Sequence, residues 1–147
     1  MKIEIDQSGK IENTEKPTVI AFSNSINRSV IMLSKDKKQI QNLFRKAGTP
    51  RIFVYKTFAV LIYFLIKSKL KSINQILIDI EYPGYNRLIK QFLCELFTKN
   101  NIKFDSDFVH FKEIGKESNA HITAISAYRN KSAETKITYK DFLKITL

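Results

Sequence analysis

The chain has 147 residues and a mass of 17.1 kDa, the size of one ordinary domain able to bury a core without disulfide staples. Its single cysteine, Cys94, excludes an internal disulfide, and no Cys/His cluster has zinc spacing, so structural zinc is not expected and a reducing, cytoplasmic setting is. The formal charge is +11 with a pI near 9.7, and the excess sits in residues 17–78, where eleven Lys and Arg meet a single acid, Asp36; such a basic segment favours nucleic acid as partner, held through counterion release.

The first residues alternate, with Ile3 and Ile5 between Lys2, Glu4 and Asp6, which predicts a strand placing Asp6 on the face opposite its isoleucines. The same alternation lacks the apolar run of a secretory leader. Ser8-Gly9 supplies a turn, and after a polar stretch from Lys10 to Pro17 the runs 18–22 and 29–33 read as two more strands joined around Asn24 to Asn27, an antiparallel meander. Residues 34–47 change period: Ile40, Leu43, Phe44 and Ala47 share a helix face, Ser34 is placed to cap, and Gly48 and Pro50 stop the helix.

The opposite face of that helix carries Lys35, Lys37, Lys38, Arg45 and Lys46, the residues expected to track a phosphate backbone. Residues 51–55 fit a short strand or the start of a helix, and 57–69 fit a helix. The apolar run from Ile52 to Ile66 is interrupted by Lys56 and Thr57 and falls short of the roughly 20 residues a membrane span needs, so a buried helix and no membrane contact are expected.

Residues 75–80 form an apolar, β-branched strand, broken by Tyr82-Pro83-Gly84. Leu88, Ile89, Phe92, Leu93, Leu96 and Phe97 then mark a helix face, and Cys94 lies beside it. Strand, turn and helix in that order open a crossover, with 108–111 as the parallel partner strand. A polar loop, 113–118, precedes a helix of small residues over 119–128. The division expected is one domain over 1–130, with 131–147 as a tail or short helix of the same domain, capped by Thr138.

Ligand-type residues thus fall at element ends: Asp6, then Asp79 and Glu81, then His121. Magnesium takes oxygen ligands in near-octahedral geometry and is held by one or two carboxylates with waters and phosphate oxygens. Asp6 and Glu81, supported by Asp79, suit such a site, with Mg2+ or Mn2+ as the cofactor. Two ions a few ångströms apart would activate water for in-line phosphoryl displacement, with no protein nucleophile needed. His121, at the first turn of its helix, can ligate or move a proton near neutral pH, and Lys116 is placed to meet a phosphate.

Read in order, these segments resemble the ribonuclease H-like superfamily, most closely its RuvC-type Holliday-junction resolvase branch. Ile5-Asp6-Gln7-Ser8-Gly9-Lys10 is similar to that branch's Asp-Pro-Gly-Ser opening, with Gln7 in place of proline; Ile80-Glu81 matches a later strand ending in Ile-Glu; and 119–127 resembles the final helix, with His121 at the acidic position. The likeness covers the chain to about Arg129. It implies an α/β fold with a mixed five-stranded sheet, its first three strands antiparallel, flanked by helices, and metal-dependent nuclease chemistry on DNA or RNA, structured substrates included. An imidazole in place of a carboxylate suits manganese better than magnesium.

Two other readings stand beside a nuclease whose catalytic residues are Asp6, Glu81 and His121. One is an inactive nucleic-acid-binding module on the same fold, because fold does not settle function. The other is an adaptor that uses its Phe- and Tyr-rich middle for homodimer contact.

Overall fold

The computed structural model describes residues 1–115, 118–130 and 132–147. Their strands are β1 (Lys2–Ser8), β2 (Thr18–Ser23), β3 (Asn27–Met32), β4 (Gln75–Asp79), β5 (Val109–Lys112) and β6 (Thr135–Lys136). The helices are α1 (Ser34–Lys46), α2 (Ile52–Ile66), α3 (Asn86–Lys99), α4 (Asn119–Asn130) and α5 (Tyr139–Thr146). The strands form one mixed sheet in the order β5-β4-β1-β2-β3-β6, with β1, β2 and β3 antiparallel and β4 and β5 parallel to β1.

The sheet has six strands where the resemblance implies five. The sixth is only two residues, pairing Thr135 with Val30 and Lys136 with Ile31 in parallel. Residues 132–147 are therefore built into the domain: Ile137, Phe142 and Ile145 are buried in the main core.

Period-two alternation sorts the strand residues onto two faces. Ile3, Ile5, Ile20, Phe22, Val30, Met32, Ile76 and Ile78 point into the main core beneath α2 and α3. Val19 and Ile31 point the other way, onto α4. That helix lies across β1, β2 and β3 with Ala120, Ala124 and Ala127 buried, at a spacing that keeps these small side chains on one face and lets the helix approach the strands closely. Gly9 marks the closest approach at this end: its φ is +81°, and a Cβ there would lie 2.7 Å from the Tyr128 ring and 2.4 Å from the Pro17 carbonyl.

Residues 51–55 resolve as helix, since α2 runs unbroken from Ile52 to Ile66 before a 3₁₀ turn at Lys67–Ser72. Ten of its fifteen residues are buried all round the helix, which erases the one-sided stripe that normally reveals a helix. Among the described residues, no helix is long and apolar enough to cross a membrane. The expected cap of α1 is corrected: Leu33 occupies the N-cap, and the Ser34 hydroxyl donates instead to the Thr14 carbonyl. The Thr138 cap holds, in a reciprocal capping box with Asp141.

Candidate metal centre

Asp6 is the fifth residue of β1. Because Ile3 and Ile5 take the core face, Asp6 projects toward α4, where it is only 4 % exposed. Asp79 ends β4, the parallel neighbour of β1, on the same face as Leu77. Glu81 lies beyond the strand, yet its carboxylate reaches the same point: one ligand oxygen from each of Asp6, Asp79 and Glu81 falls within 4.8 Å of the others. Across from them, the first turn of α4 brings His121 Nδ1 to 2.7 Å from Asp6 Oδ2. Three segments far apart in sequence thus meet here: the three acids form one cluster, and His121 joins it through its contact with Asp6.

Few groups support these four. Gln7 N–H donates to Asp6 Oδ1 at 2.9 Å, and Ile114 N–H donates to Asp79 Oδ1 at 2.7 Å, tying the loop after β5 to the site. The Ser118 hydroxyl accepts from His121 N–H at 3.1 Å and fixes the entry to α4. With Asp6 ionised, His121 Nδ1–H is the donor in their contact; in a neutral imidazole Nε2 then keeps the free lone pair, the arrangement in which a carboxylate orients a ligating imidazole.

Burial dominates the electrostatics. It raises the Asp6 carboxyl above its ordinary range against the opposing pull of the His121 and Gln7 hydrogen bonds. Burial, then the neighbouring Asp79 and Asp6, pushes Glu81 up to about 8. Near neutral pH Glu81 therefore holds a proton, shared within hydrogen-bond reach of the other two acids.

No family model, curated protein or solved structure matches this chain.

The donor set decides which group fits. Three clustered carboxylates, Asp6 buried and the other two partly exposed, supply hard oxygen ligands, with only the imidazole beside Asp6 to set against their charge. A divalent cation of the magnesium or manganese class fits that imbalance. A softer, thiolate-preferring metal does not, because Cys94 stands apart on α3.

The basic residues divide. Lys35, Lys38, Arg45 and Lys46 are exposed along α1, with Lys38 paired to Glu15 at 3.2 Å. Lys37 is corrected: it is fully buried and unable to meet a phosphate. Its Nζ donates to the carbonyls of Lys10, Asn13 and Lys16 at 3.0, 2.7 and 2.7 Å and lies 2.9 Å from Thr18 Oγ1. Lys116 lies outside the described residues.

Two neighbours of the acids carry no sequence signal of their role. Gln7 and Tyr82 face the opposite side of the sheet, where Gln7 Nε2 donates to Tyr82 Oη at 3.0 Å and Ile11 N–H donates to the same oxygen at 3.3 Å. Patterning marks Tyr82 only as the residue that breaks a strand. Nothing local signals a bond to a residue 75 positions away.

Proposed function

We propose that the chain is a metal-dependent nuclease of the ribonuclease H-like type, closest to the RuvC branch, hydrolysing phosphodiester bonds in DNA or RNA. The observation that carries this reading is the convergence of Asp6, Asp79 and Glu81 with His121 on one face of a mixed sheet whose first three strands are antiparallel. The six-stranded sheet supports the likeness in strand direction while adding β6 at its edge.

Bound Mg2+ or Mn2+ would supply Lewis acidity and an activated water. The protein's own part is to hold the ligands and place the substrate. Asp6, fixed by Gln7 N–H and His121, presents its carboxylate from the centre of the sheet, and Asp79 is oriented by Ile114 N–H. Glu81 gives up its proton when the site is filled. His121, through Nε2, serves as ligand or proton carrier. The exposed face of α1 would bind the polyanion without reading bases. Tyr85, 44 % exposed and stacked on Tyr55 at 4.0 Å between ring centroids, offers a flat apolar surface four residues after Glu81, suited to an unpaired base.

The test is cleavage of branched, duplex and single-stranded DNA and RNA with Mg2+ or Mn2+, comparing wild type with Asp6→Asn. Metal-dependent cleavage that drops by about 10²- to 10³-fold in the variant is expected, the scale of losing one charge-stabilising group. Equal activity in the two proteins sinks the assignment. One observation favours the inactive binding module: His121 already pairs with Asp6, so the carboxylate has a partner within the protein. Saturable nucleic-acid binding without cleavage in any metal would establish that reading.

A further inference from the structure

Glu81 poses a positioning problem. The ladder of β4 ends at Asp79; Ile80 N–H still donates to the Lys112 carbonyl of β5 at 3.2 Å, and Glu81 N–H donates to the Asp79 carbonyl at 3.0 Å, so the main chain leading to Glu81 is tied to β5. That turn fixes the main chain locally, but it does not set how far the Glu81 carboxyl stands from Asp6 on the neighbouring strand.

The restraint lies on the reverse face of the sheet. Asp6 and Glu81 on the front are each followed directly by a polar residue pointing to the back: Asp6 by Gln7, Glu81 by Tyr82. Those two are hydrogen-bonded to each other, Gln7 Nε2 to Tyr82 Oη at 3.0 Å, and Ile11 N–H adds a second donor from the β1–β2 loop. The Tyr82 ring is gripped edge-on by Tyr55 and Phe58, with centroids 5.9 and 5.5 Å away. Both Gln7 and Tyr82 are buried, and Gln7 Oε1 has no hydrogen-bond partner among the described residues. An unsatisfied buried amide oxygen costs stability that leucine or methionine at this position would not, so the Gln7 side chain is retained at a cost and its one good bond needs a purpose.

Resting on the metal-site reading above, we propose that Gln7 and Tyr82 form a latch behind the sheet that sets the separation of Asp6 and Glu81 in front of it. Tyr82 is the positioning residue for Glu81. The latch transmits through two peptide units: fixing the Tyr82 ring fixes the main chain one residue back, and fixing Gln7 ties that point to β1, whereas the last main-chain bond before Glu81, from Ile80, runs to β5.

Tyr82→Phe removes one hydroxyl and keeps the ring. Phe142→Leu serves as control, because it loosens the main core at α5, where it packs on Phe44, without touching Tyr82 or Gln7. Two measurements are made on the full chain. The first is Mn2+ affinity by electron paramagnetic resonance at pH 7.5. Tyr82→Phe is expected to weaken it about tenfold, the low end of what partners of metal ligands contribute. Gln7→Leu should match that loss, the double variant should exceed neither single, and Phe142→Leu should keep wild-type affinity while melting lower. The second, in EDTA, is hydrogen exchange at the Glu81 and Tyr82 amides, expected to accelerate in Tyr82→Phe about tenfold while Ile78 within β4 is unchanged.

Unchanged exchange at Glu81 overturns the latch whatever the metal result. So does a Mn2+ affinity for Tyr82→Phe within twofold of wild type, or an equal loss in Phe142→Leu. Wild type that binds no Mn2+ removes the metal reading alone, and the exchange measurement then decides the latch by itself.

Discussion

Two places in this molecule bury charge, and they do it in opposite ways. Lys37 is enclosed and fully served: three carbonyls and a hydroxyl surround its ammonium group, and they come from the 10–16 loop and the start of β2 that the lysine pins to α1. Asp6, Asp79 and Glu81 are crowded and underserved, three acids sharing one imidazole and two main-chain N–H groups. The first arrangement uses charge to hold a loop; burial lowers the lysine's pKa to about 8, which leaves it charged at neutral pH. The second leaves charge unbalanced at a point where Asp79 and Glu81 keep some exposure. A buried charge with every bond made is structural, whereas one whose bonds are left unmade is poised for a ligand.

The most severe test of this contrast is to remove the centre of each cluster and measure stability. Lys37→Met removes the ammonium donor from the Lys10, Asn13 and Lys16 carbonyls, of which Lys10 and Asn13 keep main-chain donors, and is expected to cost about 1.5–3 kcal/mol in urea unfolding, the scale of hydrogen bonds to a charged group. Asp6→Asn removes a carboxylate from its two acidic neighbours while losing the His121 contact, and the two changes offset. Its stability should stay within about 1 kcal/mol of wild type. If Asp6→Asn were the more damaging of the two, the acids would be a structural network and the contrast would invert.

A smaller effect follows from pH. Glu81 titrates near 8 in the folded chain and near 4.5 when unfolded, so between those values the native state binds more protons than the unfolded one. Stability must therefore fall as pH rises from about 4.5 through 8, the sense opposite to that of a salt-bridged carboxylate. Glu81→Gln removes this dependence, and thermal melts from pH 5 to 9 should show a flatter profile with a higher melting temperature at the alkaline end. For the same reason Mn2+ binding by the wild type should strengthen up to pH 8, as the ion ceases to compete with a proton on Glu81. Melting curves of the variant and wild type that run parallel across this range would place the Glu81 carboxylate in ordinary solvent.

How much of this is legible in the sequence depends on whether the signal is local. Asp6 and Asp79 are readable because strand alternation assigns a face residue by residue, Glu81 only as the acid at the point where β4 breaks, and the crossover from β4 through α3 to β5 follows from strand, turn and helix in succession. His121 is readable because a helix of small residues begins there. Lys37 is not: on α1 it sits between Lys35 and Lys38 in an unbroken polar face, and only the tertiary fold of the 10–16 loop over that face buries it. The bond from Gln7 to Tyr82 is equally non-local. β6 carries two exposed polar residues, too few and too hydrophilic to show a period. The start of α2 is ambiguous in sequence because a helix buried on all sides has no polar face to set its phase.

The finest distinction is within α1 itself, between one buried lysine and its exposed neighbours. Lys35, Lys38, Arg45 and Lys46 lie along solvent, and any phosphate they neutralise releases counterions. Replacing Lys35 and Lys46 with alanine should reduce the slope of log affinity against log salt by about 0.7–0.9 for each phosphate no longer neutralised, with the melting temperature unchanged. Lys38 should count for less, because Glu15 already occupies its ammonium group. Fluorescence anisotropy of a labelled oligonucleotide, titrated at several salt concentrations, reads this directly. A slope that does not move would show that the polyanion crosses another face, and the charge on α1 would then be the solvated coat of a helix whose one structural cation points inward.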